Sequence, residues 1–260
     1  MRIAGLALAL TLIFAFAGPA CGDDTSSAKR AILDGSGGAY LALGDSIAWG
    51  AGASDTNSKS YAGLVTAALH QEVSDDLLAS SPAAGGATTQ ELIDRQLPAA
   101  LDALRGRDVR LITITIGGND LNILQSSPDA ATCIADVNDP KCPVAEILVG
   151  TEERLDRILG DLREAGPDVP IVIQVYPNLF SGTGHVFEQP AGQAFGKLNE
   201  VIERVAAKHD ILIADPRAAF EGRGGELTHT LDATPDFHPN DAGYEAIAEA
   251  FIEVLGLSGN

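Results

Sequence analysis

A serine follows a short apolar run in the first quarter of the chain. The run Ala39–Leu43 stops at Gly44, and Asp45 and Ser46 come next. If the run is a buried strand, Ser46 lies where the strand turns into a helix, and its hydroxyl can face a ligand. This position suits a nucleophile, although Asp45 and Ser46 are also good helix N-caps. A nucleophilic serine would need a base and donors for an oxyanion.

Two later loops contain groups that could bind a developing negative charge. Gly86 precedes a predicted helix start, so its backbone N–H could point at an anion. Asn119 follows two glycines and the clearest apolar strand pattern, and its carboxamide donates hydrogen bonds without changing protonation. Each segment taken singly is also typical of a turn.

One histidine is placed to act as a general base. His238 lies just before a predicted C-terminal helix, and Asp236 precedes it by two positions. Neutral imidazole suits proton transfer near pH 7. The alternative is a loop histidine that is simply paired with Asp236. The other histidines lie in helical patterns or at their ends, or in loops without a supporting motif: His70, His209, His185 and His229.

Alternating strand and helix patterns would position these loops. Strand patterns cover Tyr40–Leu43, Leu77–Ser80, Val109–Ile116, Ile171–Tyr176 and Ile211–Ala214. Helical patterns cover Tyr61–Val73, Thr89–Ala103, Val144–Ala165, Gln193–Lys208 and Asp241–Leu255. This order predicts an α/β fold with parallel strands and helices on both faces. The strand-to-helix loops of such a sheet emerge at one edge, where distant residues can meet.

Together the four loops resemble the sequence blocks of the SGNH hydrolases, also called the GDSL esterase/lipase family. Tyr40–Ile47 matches the nucleophile block, with Ile47 where the family name has Leu. The glycine, asparagine and histidine blocks match Gly86–Thr89, Gly117–Asp120 and His238–Asn240. Ser81 stands where an Asn often precedes the glycine block.

The resemblance implies a role for each matched position. Ser46 would be the nucleophile and His238 the base. The oxyanion hole would consist of the Ser46 N–H, the Gly86 N–H and the Asn119 side chain. The resemblance also implies a three-layer α/β/α fold with a mostly parallel, flavodoxin-like sheet, here expected over residues 39–260, and it implies neither a cofactor nor a metal.

The acid of the expected triad is displaced in this chain. The family usually places an Asp three residues before the histidine, but Pro235 occupies that position. Asp236 is the preferred substitute, because the carboxylate needs only to orient the imidazole and stabilise the imidazolium. Asp232 and a backbone carbonyl remain the alternatives.

The N-terminal residues predict export. Arg2, an apolar run over residues 3–17 and small residues before Cys21 are typical of a signal peptide over residues 1–20. Cleavage before Cys21 fits ordinary secretion, and it also resembles the bacterial lipoprotein arrangement, in which lipid on Cys21 would anchor the protein to a membrane. Gly18 departs from the lipoprotein pattern. Residues 21–38 are interpreted as a tether.

Cysteine spacing and charge limit the other possibilities. In an oxidising compartment Cys133 and Cys142 would pair as a disulfide, and no nearby ligands complete a zinc site around them. The net charge of −19 disfavours nucleic acid and anionic lipid surfaces as partners. Length and the lack of repeats indicate one domain, and we expect a monomer.

The sequence therefore predicts an exported serine esterase or lipase that hydrolyses carboxylic esters through an acyl-enzyme on Ser46. A small-molecule or lipid ester is the expected substrate. A carbohydrate O-acetyl esterase of the same fold is one alternative. The other is a surface binding lipoprotein that no longer turns over substrate.

Overall fold

Five parallel strands form the central sheet of the computed structural model, which describes residues 22–33, 38–106, 108–122, 128–234 and 236–258. The strands are β1 (Ala39–Gly44), β2 (Leu78–Ser80), β3 (Val109–Thr115), β4 (Ile171–Gln174) and β5 (Leu212–Ala214), in the spatial order β2-β1-β3-β4-β5. All residues of β1 and β4 are buried, as expected for strands covered on both faces. The central position of β1 and β3 places their C-terminal loops side by side.

Helices and short helical turns connect the strands. The first half of the chain contains α1 (Gly22–Leu33), α2 (Ser46–Trp49), α3 (Tyr61–Glu72), α4 (Thr89–Glu91), a π-helical segment (Leu92–Gln96), α5 (Leu97–Gly106) and a 3-10 turn (Gly118–Asn122). The second half contains α6 (Ala130–Ala135), α7 (Val144–Ala165), α8 (Glu188–Lys208), α9 (Arg217–Phe220), α10 (Gly224–Leu227) and α11 (Asp241–Leu255). Among the described residues, none of these helices has the length and apolar character needed to cross a bilayer.

The longer helices form two layers around the sheet. In one layer α11 packs against α1 and α3, and the rings of Tyr61 and Phe251 stack with centroids 4.6 Å apart. In the other layer α7 packs between α5 and α8. The sheet lies between them, with apolar side chains such as Ile112 and Ile173 fully buried. This arrangement confirms the predicted three-layer α/β/α fold, and the pairing of the five strands is parallel throughout.

The predicted elements agree with the structure except at a few ends. The largest boundary difference is α8, which begins at Glu188 rather than at Gln193. Its first turn contains Pro190, which the first turn of a helix tolerates because the missing N–H would have no partner within the helix. Pro190 and Gly192 made this turn resemble a loop in the sequence.

The segment interpreted as a tether is helical over most of its length. Helix α1 buries Ile32 completely, and Lys29 reaches both the Gly256 carbonyl at 2.7 Å and the Glu72 carboxylate at 2.8 Å. The residues Gly22–Leu33 thus pack on the domain, against α11, because Ala28 and Ile32 share one face of the helix. The predicted signal peptide (residues 1–20) and Cys21 lie outside the described residues.

Candidate active site

The end of β1 sets the position of Ser46. Gly44 has a φ of +132°, and a Cβ atom there would lie 2.0 Å from the carbonyl oxygen of Thr115 on β3, so only glycine fits. The Asp45 N–H donates to that same carbonyl at 2.9 Å. The Asp45 carboxylate then accepts the Ile47 N–H at 2.9 Å and caps α2. Ser46, half-buried, is the first residue of this helix.

His238 and Asp236 lie beside Ser46 in a continuous chain of hydrogen bonds. The Nε2 atom of His238 is 2.9 Å from the Ser46 Oγ, and its Nδ1 atom is 2.6 Å from the Asp236 Oδ1. The same carboxylate oxygen accepts the His238 backbone N–H at 3.1 Å. A turn of only two residues is therefore tight enough for the displaced Asp236 to reach the imidazole.

The environment of Asp236 keeps its carboxylate ionised. Partial burial opposes ionisation, but the His238 backbone N–H and the adjacent imidazole outweigh it, and the pKa of Asp236 falls below its ordinary value. The structure places Asp232, the alternative acid, elsewhere: its carboxylate lies 2.6 Å from the Nδ1 atom of His229. Of the two candidate acids, only Asp236 contacts His238.

The two loops with candidate oxyanion donors touch each other. Gly86 adopts a left-handed φ of +76° in the turn before α4. The Asn119 Nδ2 atom, in the turn after β3, donates to the carbonyl of the adjacent Ala87 at 3.0 Å. Asn122 donates to the Asn119 Oδ1 atom at 2.6 Å, so both ends of the Asn119 carboxamide are oriented. The carboxamide has two hydrogens, and among the described residues the Ala87 carbonyl accepts one of them.

A comparison with known protein families found a match over most of the chain. The model of the GDSL-like lipase/acylhydrolase family matches residues 42–246, a span that contains every residue of the candidate site. The chain belongs to this family. It is a carboxylic ester hydrolase, as the sequence blocks predicted. No curated protein matches the chain in sequence.

Solved structures of lipases and an esterase have a similar fold. A phospholipase A1 from Streptomyces albidoflavus NA297 is 25% identical, with a TM-score of 0.61 over 85% of this chain and 99% of that one. An extracellular lipase from Streptomyces rimosus is 24% identical, with a TM-score of 0.61 over 84% and 98%. An acetylxylan esterase from Geobacillus stearothermophilus shares the fold at 19% identity, with a TM-score of 0.64 over 87% and 97%.

A buried ion pair, which the sequence did not indicate, joins the two candidate oxyanion loops of this GDSL-like hydrolase. Asp120, with a side chain only 3% exposed, accepts the Thr89 N–H at 2.9 Å and the Thr89 hydroxyl at 2.5 Å. Arg154 on α7 donates to the Asp120 carboxylate at 2.9 Å and to the Thr89 hydroxyl at 2.7 Å. The cation compensates the buried charge, and the three side chains fix the spacing of the loops.

The carboxamide of Gln96 binds the backbone of Gly44 at the end of β1. Its Oε1 atom accepts the Gly44 N–H and its Nε2 atom donates to the Gly44 carbonyl, both at 2.8 Å. The two bonds satisfy the backbone of the strand residue that precedes the Asp45–Ser46 pair. Gln96 ends the π-helical segment, a local widening of the helix that sequence periodicity does not reveal.

The carboxyl group of Asp45 is buried against Tyr176. The Tyr176 hydroxyl donates to the Asp45 Oδ2 atom. Burial raises the pKa of Asp45 to about 6, despite the opposing effect of this hydrogen bond. Desolvation and the nearby Asp45 carboxylate likewise raise the pKa of Tyr176 above its ordinary range. The raised pKa keeps the Tyr176 hydroxyl protonated near neutral pH, where it can donate to the Asp45 carboxylate.

A second histidine of this GDSL-like hydrolase contacts the segment after α2. The Nε2 atom of His229 lies 2.8 Å from the Gly52 carbonyl, and its Nδ1 atom contacts Asp232 as described above. Tyr244 donates to the neighbouring Ala51 carbonyl at 2.7 Å. Sequence reasoning left His229 without a role, because Gly52 is 177 positions away.

The disulfide prediction is confirmed, since Cys133 and Cys142 are joined with their Cα atoms 5.0 Å apart. Both cysteines are buried; Cys133 lies in α6, and Cys142 lies two residues before the start of α7. Within the part of the chain that the structure describes, no three His, Cys, Asp or Glu side chains cluster in the manner of metal ligands.

Proposed function

We propose that this protein is an exported serine esterase that forms an acyl-enzyme on Ser46. The hydrogen-bonded chain from Ser46 through His238 to Asp236, at 2.9 and 2.6 Å, carries the proposal. Catalytic mutants of the acetylxylan esterase with the same fold replace a serine and an aspartate. In this protein Ser46 and Asp236 are the two ends of the hydrogen-bonded series that passes through His238.

The proposed reaction has two steps. His238 removes the Ser46 proton while Oγ attacks the ester carbonyl, and Asp236 stabilises the imidazolium that forms. The oxyanion of the tetrahedral intermediate accepts hydrogen bonds from the Ser46 N–H, the Gly86 N–H and Asn119. Collapse breaks the bond to the alcohol, whose oxygen takes the proton from His238. Water, activated by the same histidine, then releases the acid and regenerates Ser46.

Export is proposed from the N-terminal sequence. Residues 1–20 carry the features of a signal peptide, and Cys21 would be the first residue after cleavage. The Cys133–Cys142 disulfide supports an oxidising compartment. Mass spectrometry of the processed N-terminus tests this proposal: a diacylglycerol-sized addition on Cys21 indicates a lipoprotein, a free Cys21 indicates secretion, and an intact Met1 contradicts export.

A carbohydrate O-acetyl esterase is the second candidate, because the acetylxylan esterase has the same fold. A panel of esters separates the two activities. We expect hydrolysis of simple alkyl and acylglycerol esters, from acetyl to palmitoyl, to exceed hydrolysis of acetylated xylan. The opposite ranking would favour the O-acetyl esterase.

Labelling of Ser46 separates both enzymes from a binding protein without turnover. A fluorophosphonate should modify Ser46 in the intact protein and abolish ester hydrolysis, because His238 makes the hydroxyl nucleophilic. Peptide mapping by mass spectrometry locates the adduct. An unmodified Ser46 and no hydrolysis of any ester would contradict the proposed function and support the binding protein.

Asn119 provides a quantitative test of the oxyanion hole. Loss of one such donor typically lowers kcat by about 100- to 1000-fold, so Asn119→Ala should do so with its thermal transition preserved within a few degrees. Asn138→Ala, at an exposed asparagine in the disulfide loop, is the matched control and should leave kcat unchanged. Undiminished turnover in Asn119→Ala would remove Asn119 from the mechanism.

A further inference from the structure

Exposed apolar side chains gather on two loops next to His238. The loop between β4 and α8 carries Val186, Phe187 and the half-buried Phe180, and the loop before α11 carries Leu231 and Phe237. These five residues are called the apolar shelf. Val186 is 68% exposed and Leu231 64%, and Phe237 and Phe187 are 45% and 40% exposed. The Phe180 ring lies 6.0 Å from that of Phe187 and 6.3 Å from that of Phe237, so the two loops form one surface.

The loops of the shelf are held in place by hydrogen bonds. The Glu188 carboxylate accepts the backbone N–H groups of Gly182 and Gly184 at 2.7 and 2.8 Å. The Gly224 N–H donates to the Ser181 carbonyl at 2.7 Å, which attaches this loop to α10. The side chain of Leu231 packs over Gly225 of the same helix. The exposed apolar surface is therefore built on a fixed backbone, and such a surface commonly marks a binding site.

Phe237 of the shelf is in contact with His238, the proposed base. Its ring stacks on the His238 imidazole, with centroids 5.0 Å apart and planes 28° apart. In the proposed reaction the Nε2 atom of His238 must pass its proton to the oxygen of the leaving alcohol, so that oxygen lies next to the imidazole. The proposed oxyanion donors come from Ser46 and from the loops of Gly86 and Asn119, and neither loop of the shelf includes any of them. The shelf thus continues from the alcohol side of the scissile bond.

We propose that the apolar shelf binds the alkyl portion of the leaving alcohol, and that the preferred substrates are uncharged esters whose alcohol carries an apolar chain. This inference rests on the proposed function. Val186 and Leu231 have no groups that could hydrogen-bond sugar hydroxyls, which favours an alkyl chain over a carbohydrate. The net charge of −19 disfavours an anionic alcohol portion.

Two series of substrates test whether the shelf binds the alkyl chain of the alcohol or that of the acyl group. The first keeps the acetyl group and lengthens the alcohol from methyl to decyl, and the second keeps the methyl alcohol and lengthens the acyl group equally. Complete burial of a methylene changes an equilibrium by about fourfold, and we expect about twofold on an open shelf. For the wild type, kcat/KM should therefore rise about twofold per methylene in the alcohol series. A rise confined to the acyl series would overturn the proposal.

Substitutions assign the effect to the shelf. Val186→Ser combined with Leu231→Ser should make the alcohol series less steep, so that decyl acetate loses about tenfold in kcat/KM while methyl acetate is unchanged. The matched control combines Val149→Ser and Leu78→Ser, which replace equally exposed residues (60% and 67%) on α7 and β2. The control should keep the wild-type slope. An equal loss in both double variants, or no loss in the shelf variant, would overturn the proposal.

The same measurements separate this proposal from the proposed function. Fluorophosphonate labelling of Ser46 and turnover of methyl acetate test only the reaction, and both should survive in the shelf variant. If they hold in the wild type but alcohol length has no effect, the esterase stands and the shelf proposal fails. If the shelf variant loses activity on acetylated xylooligosaccharides and keeps it on decyl acetate, the shelf binds sugar instead, which also overturns the proposal.

Discussion

Two histidine–carboxylate pairs lie in the same loop and differ in what the far side of each imidazole contacts. In both pairs the Nδ1 atom is 2.6 Å from a carboxylate, that of Asp236 for His238 and that of Asp232 for His229. The Nε2 atom of His238 meets the Ser46 hydroxyl, which can donate a proton. The Nε2 atom of His229 meets the Gly52 carbonyl, which can only accept one. His229 makes both of its hydrogen bonds as a donor only when both ring nitrogens carry a proton, whereas the Nε2 atom of His238 can accept the Ser46 proton.

The comparison shows that a carboxylate behind an imidazole does not by itself define a base. The group at the other nitrogen decides whether the histidine can take up a proton or already holds it. The Gly52 carbonyl and the Asp232 carboxylate both favour the charged form, so the pKa of His229 lies above its ordinary value. His229 therefore resembles a structural cation more than a base.

The two pairs are physically connected. The His229 N–H donates to the His238 carbonyl at 3.1 Å, and the Asp236 N–H donates to the His229 carbonyl at 3.1 Å. Gly52, with a φ of +89°, packs so closely that a Cβ atom would lie 3.0 Å from the His238 Cβ. His229 thus holds the segment that follows the Ser46 helix against the loop that carries His238. The second pair can support the geometry of the first without touching the substrate.

Alanine substitutions of His238 and His229 should give the largest difference in kcat. His238→Ala removes the proposed base, and comparable losses in serine hydrolases lower kcat by about a millionfold. His229→Ala removes contacts to Gly52 and Asp232 but no group that takes part in the proposed proton transfer, and we expect kcat to fall about tenfold or less. Steady-state kinetics on a short ester, with circular dichroism as the control for folding, measures both. Comparable losses in the two variants would contradict the distinction between base and structural cation.

Substitution of Asp236 should lower kcat more than substitution of Asp232 does. The difference should be smaller than that between the two histidine variants. Asp236→Asn keeps the shape of the side chain but removes the charge that stabilises the imidazolium, and a buried triad acid replaced in this way costs about 10⁴ in kcat. Since Asp236 is 46% exposed, water screens its charge, and we expect a loss of about a hundredfold.

Asp232→Asn is the matched control, because it alters a carboxylate that is 57% exposed and contacts only the other histidine. We expect its kcat to stay within about threefold of the wild-type value. If Asp232→Asn were the more damaging of the two substitutions, the assignment of Asp236 as the supporting acid would be wrong.

The fold was largely predictable because each strand is a short apolar run bounded by loop residues. The exceptions have local causes. Helix α1 lies in a segment rich in Ser, Asp and Gly, and only the contacts of Ala28 and Ile32 with the domain make it part of the core. The start of α8 was hidden by Pro190, as described above. In both cases packing outweighs composition.

The site was predictable where its residues lie in the loops after parallel strands, as Ser46 and Asn119 do. The residues that hold these loops were not predictable. Arg154 reaches Asp120 from the middle of a long helix, and its spacing to the loop carries no signal. The sequence shows that His229 and Asp232 lie three positions apart. It does not show that the Nε2 atom of His229 contacts the Gly52 carbonyl, and this contact is what distinguishes His229 from His238.

The smallest expected effect is a pH dependence of stability due to His229. Because its folded pKa exceeds the unfolded value of about 6.5, its bonds to Gly52 and Asp232 stabilise the fold fully below that pH. This stabilisation is lost as the pH rises through the folded pKa. His229→Gln does not titrate, so the wild type should be the more stable protein at pH 5.5, by about 1 kcal/mol or less. Urea unfolding at intervals between pH 5.5 and pH 9 should show this advantage shrinking as the pH rises. An advantage that grows with pH would mean that folding favours neutral His229, and a constant advantage would mean that folding leaves its pKa unchanged; either result would contradict the assignment of His229 as a structural cation.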